Sequence, residues 1–112
     1  MKNDEIMGTV TISKKALAQI SAKTALDCEG VAMLTDRSKK DELSRFLNGG
    51  VKGVYITKVQ GGIAVEIYII CSYGADVPSI RKQIADGIAG ALGEIGIKIK
   101  GVSVCVTGVQ EV

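Results

Sequence analysis

A chain of 112 residues is the size of one domain, and an apolar share of 46% excludes disorder throughout. Its net charge is only +2, and no basic run is long: Lys14-Lys15, Lys39-Lys40 and Arg81-Lys82 are isolated pairs. That pattern argues against a nucleic-acid or anionic-membrane ligand, which needs a concentrated basic face. Histidine is absent, which removes the commonest general base and the usual triad and weakens any zinc site.

Residues 1–7 read as a loose tail, and residues 8–112 as a single domain. The opening residues Met1 to Glu5 show no basic end followed by an apolar region, and no apolar stretch is bilayer-sized. Three widely spaced cysteines, Cys28, Cys71 and Cys105, do not make a disulfide framework. The expectation is a cytoplasmic protein without direct membrane insertion.

Thr9 to Ile12 alternates as a strand, with Val10 and Ile12 inward. Ser13 is placed to cap a helix from Lys14 to Glu29, closed by Gly30. Val31 to Leu34 is a short apolar strand. The segment from Asp36 to Gly50 turns polar, and Leu43, Phe46 and Leu47 suggest a short helix inside it, closed by Gly49-Gly50.

Val51 to Gln60 and Ile63 to Ser72 flank Gly61-Gly62, which predicts a hairpin with a two-residue glycine turn. In that register Tyr55 opposes Tyr68, Ile56 opposes Ile67 and Val54 opposes Ile69. Val54, Ile56, Val65, Ile67 and Ile69 then share one face. Asp76 caps a second long helix, with Pro78 in its first turn. Val77, Ile80, Ile84, Ile88, Ala91, Leu92 and Ile95 give that helix a strong apolar stripe, and Gly96 ends it. Val102 to Thr107 is the last strand, with Val102, Val104 and Val106 inward. The order β-α-β-(short α)-β-β-α-β defines a small two-layer α+β domain. Its mixed or antiparallel sheet carries two helices on one face.

The residues supply little chemistry. The cysteines lack C-x-x-C spacing and read as small packing residues. Several G-x-x-G matches fall between Gly87 and Gly96, inside a predicted helix rather than in a loop between two helices, so they do not mark a KH domain. Those glycines weaken the helix, and close backbone approach to the sheet or to a second subunit would compensate. No catalytic residue, cofactor site or metal site is expected.

The outer sheet face is the candidate interaction surface, bearing Tyr55, Thr57, Glu66, Tyr68 and Ile70. Parity adds Thr9, Thr11, Ser103, Cys105 and Thr107. Tyrosine with little charge suits an interface, although a Tyr pair also stabilises a sheet by itself. A sheet with aromatics in a two-helix domain is also the RRM platform, so a nucleic-acid-binding domain is the alternative reading. The segment Lys52 to Val59 matches the RRM signature only at Lys52 and Gly53 and fails at its aromatic positions.

Several segments in order carry a family resemblance. They are Gly8-Thr9-Val10-Thr11-Ile12-Ser13, Glu29-Gly30-Val31, Gly53-Val54, the run Val65 to Gly74 ending in Tyr73-Gly74, and the run Gly101 to Val109. Together they resemble the alkaline shock protein family, also called envelope stress response proteins, of Gram-positive bacteria, the YloU-like group included. Ser103 stands where members often carry Asn. The resemblance implies a small, non-enzymatic, cytoplasmic protein without catalytic residues. It implies work through protein partners, either by self-association into a homo-oligomer or through a membrane-anchored partner at the inner face of the cell membrane.

Overall fold

A computed structural model describes residues 13–111. The predicted tail, the strand at Thr9 to Ile12 and the positions Thr9 and Thr11 lie outside the described residues. Three helices and four strands follow in chain order: α1 (Lys14–Leu26), β1 (Val31–Leu34), α2 (Lys39–Asn48), β2 (Val54–Val59), β3 (Gly62–Ser72), α3 (Val77–Glu94) and β4 (Ile99–Gln110). The α+β class is as the sequence predicts.

β3 is the hub of the sheet. Its alternate residues Ile63, Val65, Ile67, Ile69 and Cys71 are fully or almost fully buried. β4 runs parallel to it along its whole length, from Ile63 opposite Ile99 to Ser72 opposite Gln110. On its other edge β2 pairs antiparallel with the first half, and β1 pairs antiparallel with the second half. The sheet is therefore mixed, and β1 and β2 lie end to end along one edge of β3. Gly53 occupies the joint, with φ +76°. A Cβ there would come within 2.9 Å of the Thr35 carbonyl and 3.0 Å of the Tyr68 carbonyl. Only glycine meets both the positive φ and the crowding.

α1 and α3 cover the inner face. α1 buries Leu17, Ala18, Ala22 and Ala25, while α3 buries Ile80, Ile84, Ile88 and Leu92. Ser13 caps α1 by accepting from the Ala16 amide at 3.1 Å. Asp76 caps α3, with Pro78 in its first turn. Ser21, the one buried polar side chain of the described core, donates to the Leu17 carbonyl at 2.9 Å. Cys71 packs in the core, Cys28 and Cys105 are half-buried, and all three thiols are free.

Four local expectations need correction. The hairpin turn is Gln60-Gly61, with Val59 opposite Gly62, not Gly61-Gly62. Tyr55 therefore opposes Glu66, Ile56 opposes Val65 and Val54 opposes Ile67. The shift is two residues in the sum of paired numbers, so the faces are unchanged. Gly62 opens β3 opposite Val59, and the position takes glycine because a Cβ there would run into the Lys98 carbonyl just before β4.

α1 ends at Leu26 rather than Glu29, with Asp27 as its cap. Gly30 serves the turn into β1, at φ +101°, pressed against Ile80 of α3. β4 runs from Ile99 to Gln110 rather than from Val102 to Thr107, because a long β3 offers it partners beyond both glycines. Of the α3 glycines only Gly87 is explained by close approach, and it approaches α1. A Cβ there would lie 2.9 Å from the Thr24 methyl, whereas Gly90 and Gly93 face nothing within 4 Å.

Candidate functional site

The outer sheet face collects most of the residues expected there; Thr107 is the exception, since parity fails where the register steps from Val106 to Gly108 and leaves it without a paired position. Tyr55 and Thr57 on β2 lie beside Glu66, Tyr68 and Ile70 on β3, with Cys105 opposite Tyr68 and Ser103 opposite Glu66 on β4. Met33 of β1 extends the face opposite Ile70. The tyrosines are diagonal neighbours across β2 and β3, and their rings meet edge to face at 5.7 Å between centroids. That geometry is favourable for the ring quadrupoles. Burial pushes both phenols above their ordinary pKa, and the neighbouring Glu66 carboxylate adds to the effect at Tyr68.

Sequence reasoning missed the role of Arg37. Its guanidinium lies 4.3 Å from the centre of the Tyr55 ring. It donates to Asp41 at 2.7 Å and to Glu66 at 3.1 Å, and its amide donates to the Tyr55 hydroxyl at 3.0 Å. Arg37 thus ties the start of α2 to β2 and β3. The Arg37 hydrogen bond holds the Asp41 carboxyl below its ordinary pKa. The only signal in the sequence is the Arg37–Asp41 spacing, which by itself is common. The contact also occupies a face of the Tyr55 ring that a stacking base would need, which counts against the RNA-platform reading.

α2 sits against the domain by its charged side. Ser38 caps it through the Asp41 amide at 3.2 Å, and Gly49 ends it in the left-handed conformation. Arg45 grips Asp36 with two nitrogens, at 3.0 and 2.9 Å, and the Asp36 side chain keeps only 8% of its exposure. No α2 residue is buried. Leu43, Phe46 and Leu47 are 58%, 80% and 70% exposed. At helical spacing Lys39 and Lys40 share their side, while Asp41 and Arg45 take the opposite one. The result is a short helix held from behind by ion pairs, with an apolar stripe and two lysines turned outward.

A cleft of about 450 Å³ separates α2 from α1, walled by Lys14 and Lys15 on one side and Gly49 to Val51 on the other, over Val54 and Tyr55. Among the described residues no cluster of three or more His, Cys, Asp or Glu side chains is arranged to hold a metal ion. No helix among them is long and apolar enough to cross a membrane.

The fold is a small α+β domain with an exposed apolar stripe on α2 and a tyrosine-bearing outer sheet face. Residues 2–111 match the model of the alkaline shock protein 23 family, described as having a cell envelope-related function, and the chain belongs to that family. It is 28% identical over 107 residues to the uncharacterized protein Spy1535 of Streptococcus pyogenes, covering 94% of this chain and 81% of that protein. It is 25% identical over 107 residues to the uncharacterized protein YloU of Bacillus subtilis, covering 92% and 89%. It is 24% identical over 110 residues to the uncharacterized protein YqhY of the same organism, covering 96% and 81%. No solved structure matches the chain.

Proposed function

We propose that this protein is a non-enzymatic protein–protein interaction module of the cell-envelope stress response, self-associating or held at the inner face of the cytoplasmic membrane by an anchored partner. The observation that carries the reading is the outward stripe of α2. Three large apolar side chains at helical spacing are left in solvent while the charged side of the same helix does the anchoring. Apolar clusters of this kind, rimmed by polar groups, mark interaction sites. Lys39 and Lys40 beside the stripe suit a partner helix with an apolar face and acidic residues at one end. The family's cell envelope-related description agrees with such a role. In this reading the anchored partner supplies the location, and the outer sheet face around Tyr68 and Ile70 is a second contact surface.

The test is fractionation of native-host cells carrying the wild type or a Phe46→Asp, Leu47→Asp double variant. The variant is expected to move from the membrane fraction to the soluble fraction with an unaltered urea midpoint. Retention of the variant at the membrane removes α2 as the docking site. Tyr68→Asp, run in parallel, asks the same of the sheet face.

A further inference from the structure

The ion pairs of α2 end on residues that lie outside the sheet. Asp36 and Arg37 are the residues that lead into the helix. Arg45–Asp36 and Arg37–Asp41 therefore fold the segment from Asp36 to Asn48 onto itself. Among the described residues, every side-chain hydrogen bond made by α2 ends on Asp36, Arg37, Ser38 or α2 itself. Arg37 makes the side-chain link to the sheet. It donates to Glu66 of β3, its amide donates to the Tyr55 hydroxyl of β2, and its guanidinium lies over the Tyr55 ring. The firm body of the domain stops on either side of this segment. Thr35 donates its amide to the Tyr68 carbonyl at 3.0 Å, and Val51 packs against the core.

The seat of the helix is loose. A cleft of about 270 Å³ lies between its charged side and Val51, Val54 and Tyr55, and another of about 310 Å³ between its first turn and Lys52. Packed interiors leave no such gaps. None of the α2 apolar side chains packs on the core. Gly49-Gly50 follows the helix directly, and nothing lies within 4 Å of a Cβ at Gly49.

We propose that the segment from Asp36 to Gly50 is a hinged arm, latched to the outer sheet face by Arg37 and turning on Gly49-Gly50, that carries the apolar stripe out to its partner. The inference rests on the docking site proposed above and adds how that site is presented. The latch is weak by its chemistry. Arg37 and Glu66 are 45% and 38% exposed, and exposed ion pairs contribute little. No apolar burial adds to them, so this segment opens at far lower cost than the whole domain unfolds. The helix itself does not depend on the latch. Ser38 and Gly49 cap it, Asp41 and Glu42 sit in its first turn, and both internal ion pairs travel with it. Such an arm meets a partner over a range of angles while the sheet face stays where it is.

The test is amide relaxation by NMR on the full-length labelled protein with no partner present. In the wild type, α2 amides are expected to show microsecond–millisecond exchange that α1 and β3 lack, with helical Cα shifts. Tyr55→Val with Glu66→Lys breaks the latch and spares every bond inside the arm. It is expected to lower the α2 order parameters from about 0.85 to below about 0.6 while the helical shifts persist. Should that variant lose the β3 amide pattern, raising salt to about 1 M screens the latch in the wild type and is expected to enlarge the exchange in α2 alone. Amides of α2 as rigid as those of α1 under all these conditions overturn the arm. Loss of the helical shifts on unlatching overturns it as well, since α2 would then need the sheet to stay folded. Neither result touches the docking site, which the fractionation test reads with the partner present.

Discussion

α3 and α2 are both helices whose apolar residues recur at three- and four-residue steps, and the domain uses them in opposite ways. α3 turns Ile80, Ile84, Ile88 and Leu92 into the sheet until almost nothing of them is exposed. α2 turns Leu43, Phe46 and Leu47 away and holds on through Arg45–Asp36 and Arg37–Asp41. Periodicity reports that a helix has an apolar side, but not where that side goes. Length decides much of the difference. Eighteen residues carry enough apolar surface to drive docking, whereas ten residues with three apolar side chains leave the orientation to a few ion pairs.

The contrast can be broken at its strongest point first. Ile84→Ala is expected to cost about 2–5 kcal/mol through lost burial and a cavity, read as a lowered urea midpoint. An unchanged midpoint would put the α3 face in the wrong place. Arg45→Ala is expected to act locally, leaving the near-buried Asp36 carboxylate unpaired and loosening α2. Hydrogen exchange should speed up in α2 amides while those of β3 stay protected. Gly90→Ala on the open side of α3 is expected to stabilise by up to about 1 kcal/mol, since the site is exposed and nothing lies within reach of a new methyl group. Phe46→Ser is expected to change stability by less than about 0.5 kcal/mol, despite removing the only phenylalanine. A loss comparable to Ile84→Ala would mean that α2 packs by its apolar side after all.

Acid sharpens the same comparison. The Asp41 carboxyl is held below its ordinary pKa by Arg37, so its contribution is present above the ordinary carboxylate range and lost as pH falls through the lowered value. α2 amides are therefore expected to lose protection in acid before α3 amides do, as a pH series of hydrogen exchange would show.

The sheet and its two covering helices were legible because β3 alternates without exception and α3 keeps its stripe through five turns. Face assignments survived an error in the hairpin turn because the error was even. What stayed hidden depended on contacts between distant residues. Gly62 has no room for a Cβ because the Lys98 carbonyl passes beside it, and Gly30 turns where Ile80 presses. β4 outruns its own propensity because β3 is long enough to hold it. At the candidate site, the outer residues of β2 and β3 follow from parity, but Arg37 over Tyr55 does not. An arginine in a polar stretch has no periodicity to betray its partner.

Making β3 the common neighbour of the other three described strands also imposes an order of assembly. The β2–β3 hairpin closes through two residues and can form as soon as both strands exist, whereas β4 must wait for the whole of α3 to cross over. Until then the far edge of the most apolar strand stands open. A chain still emerging from the ribosome passes through that state every time, so β4 acts as the seal on the hairpin. Premature termination before Ile99 would release a sheet with its most adhesive edge uncovered, and the fate of such a fragment is aggregation rather than partial function.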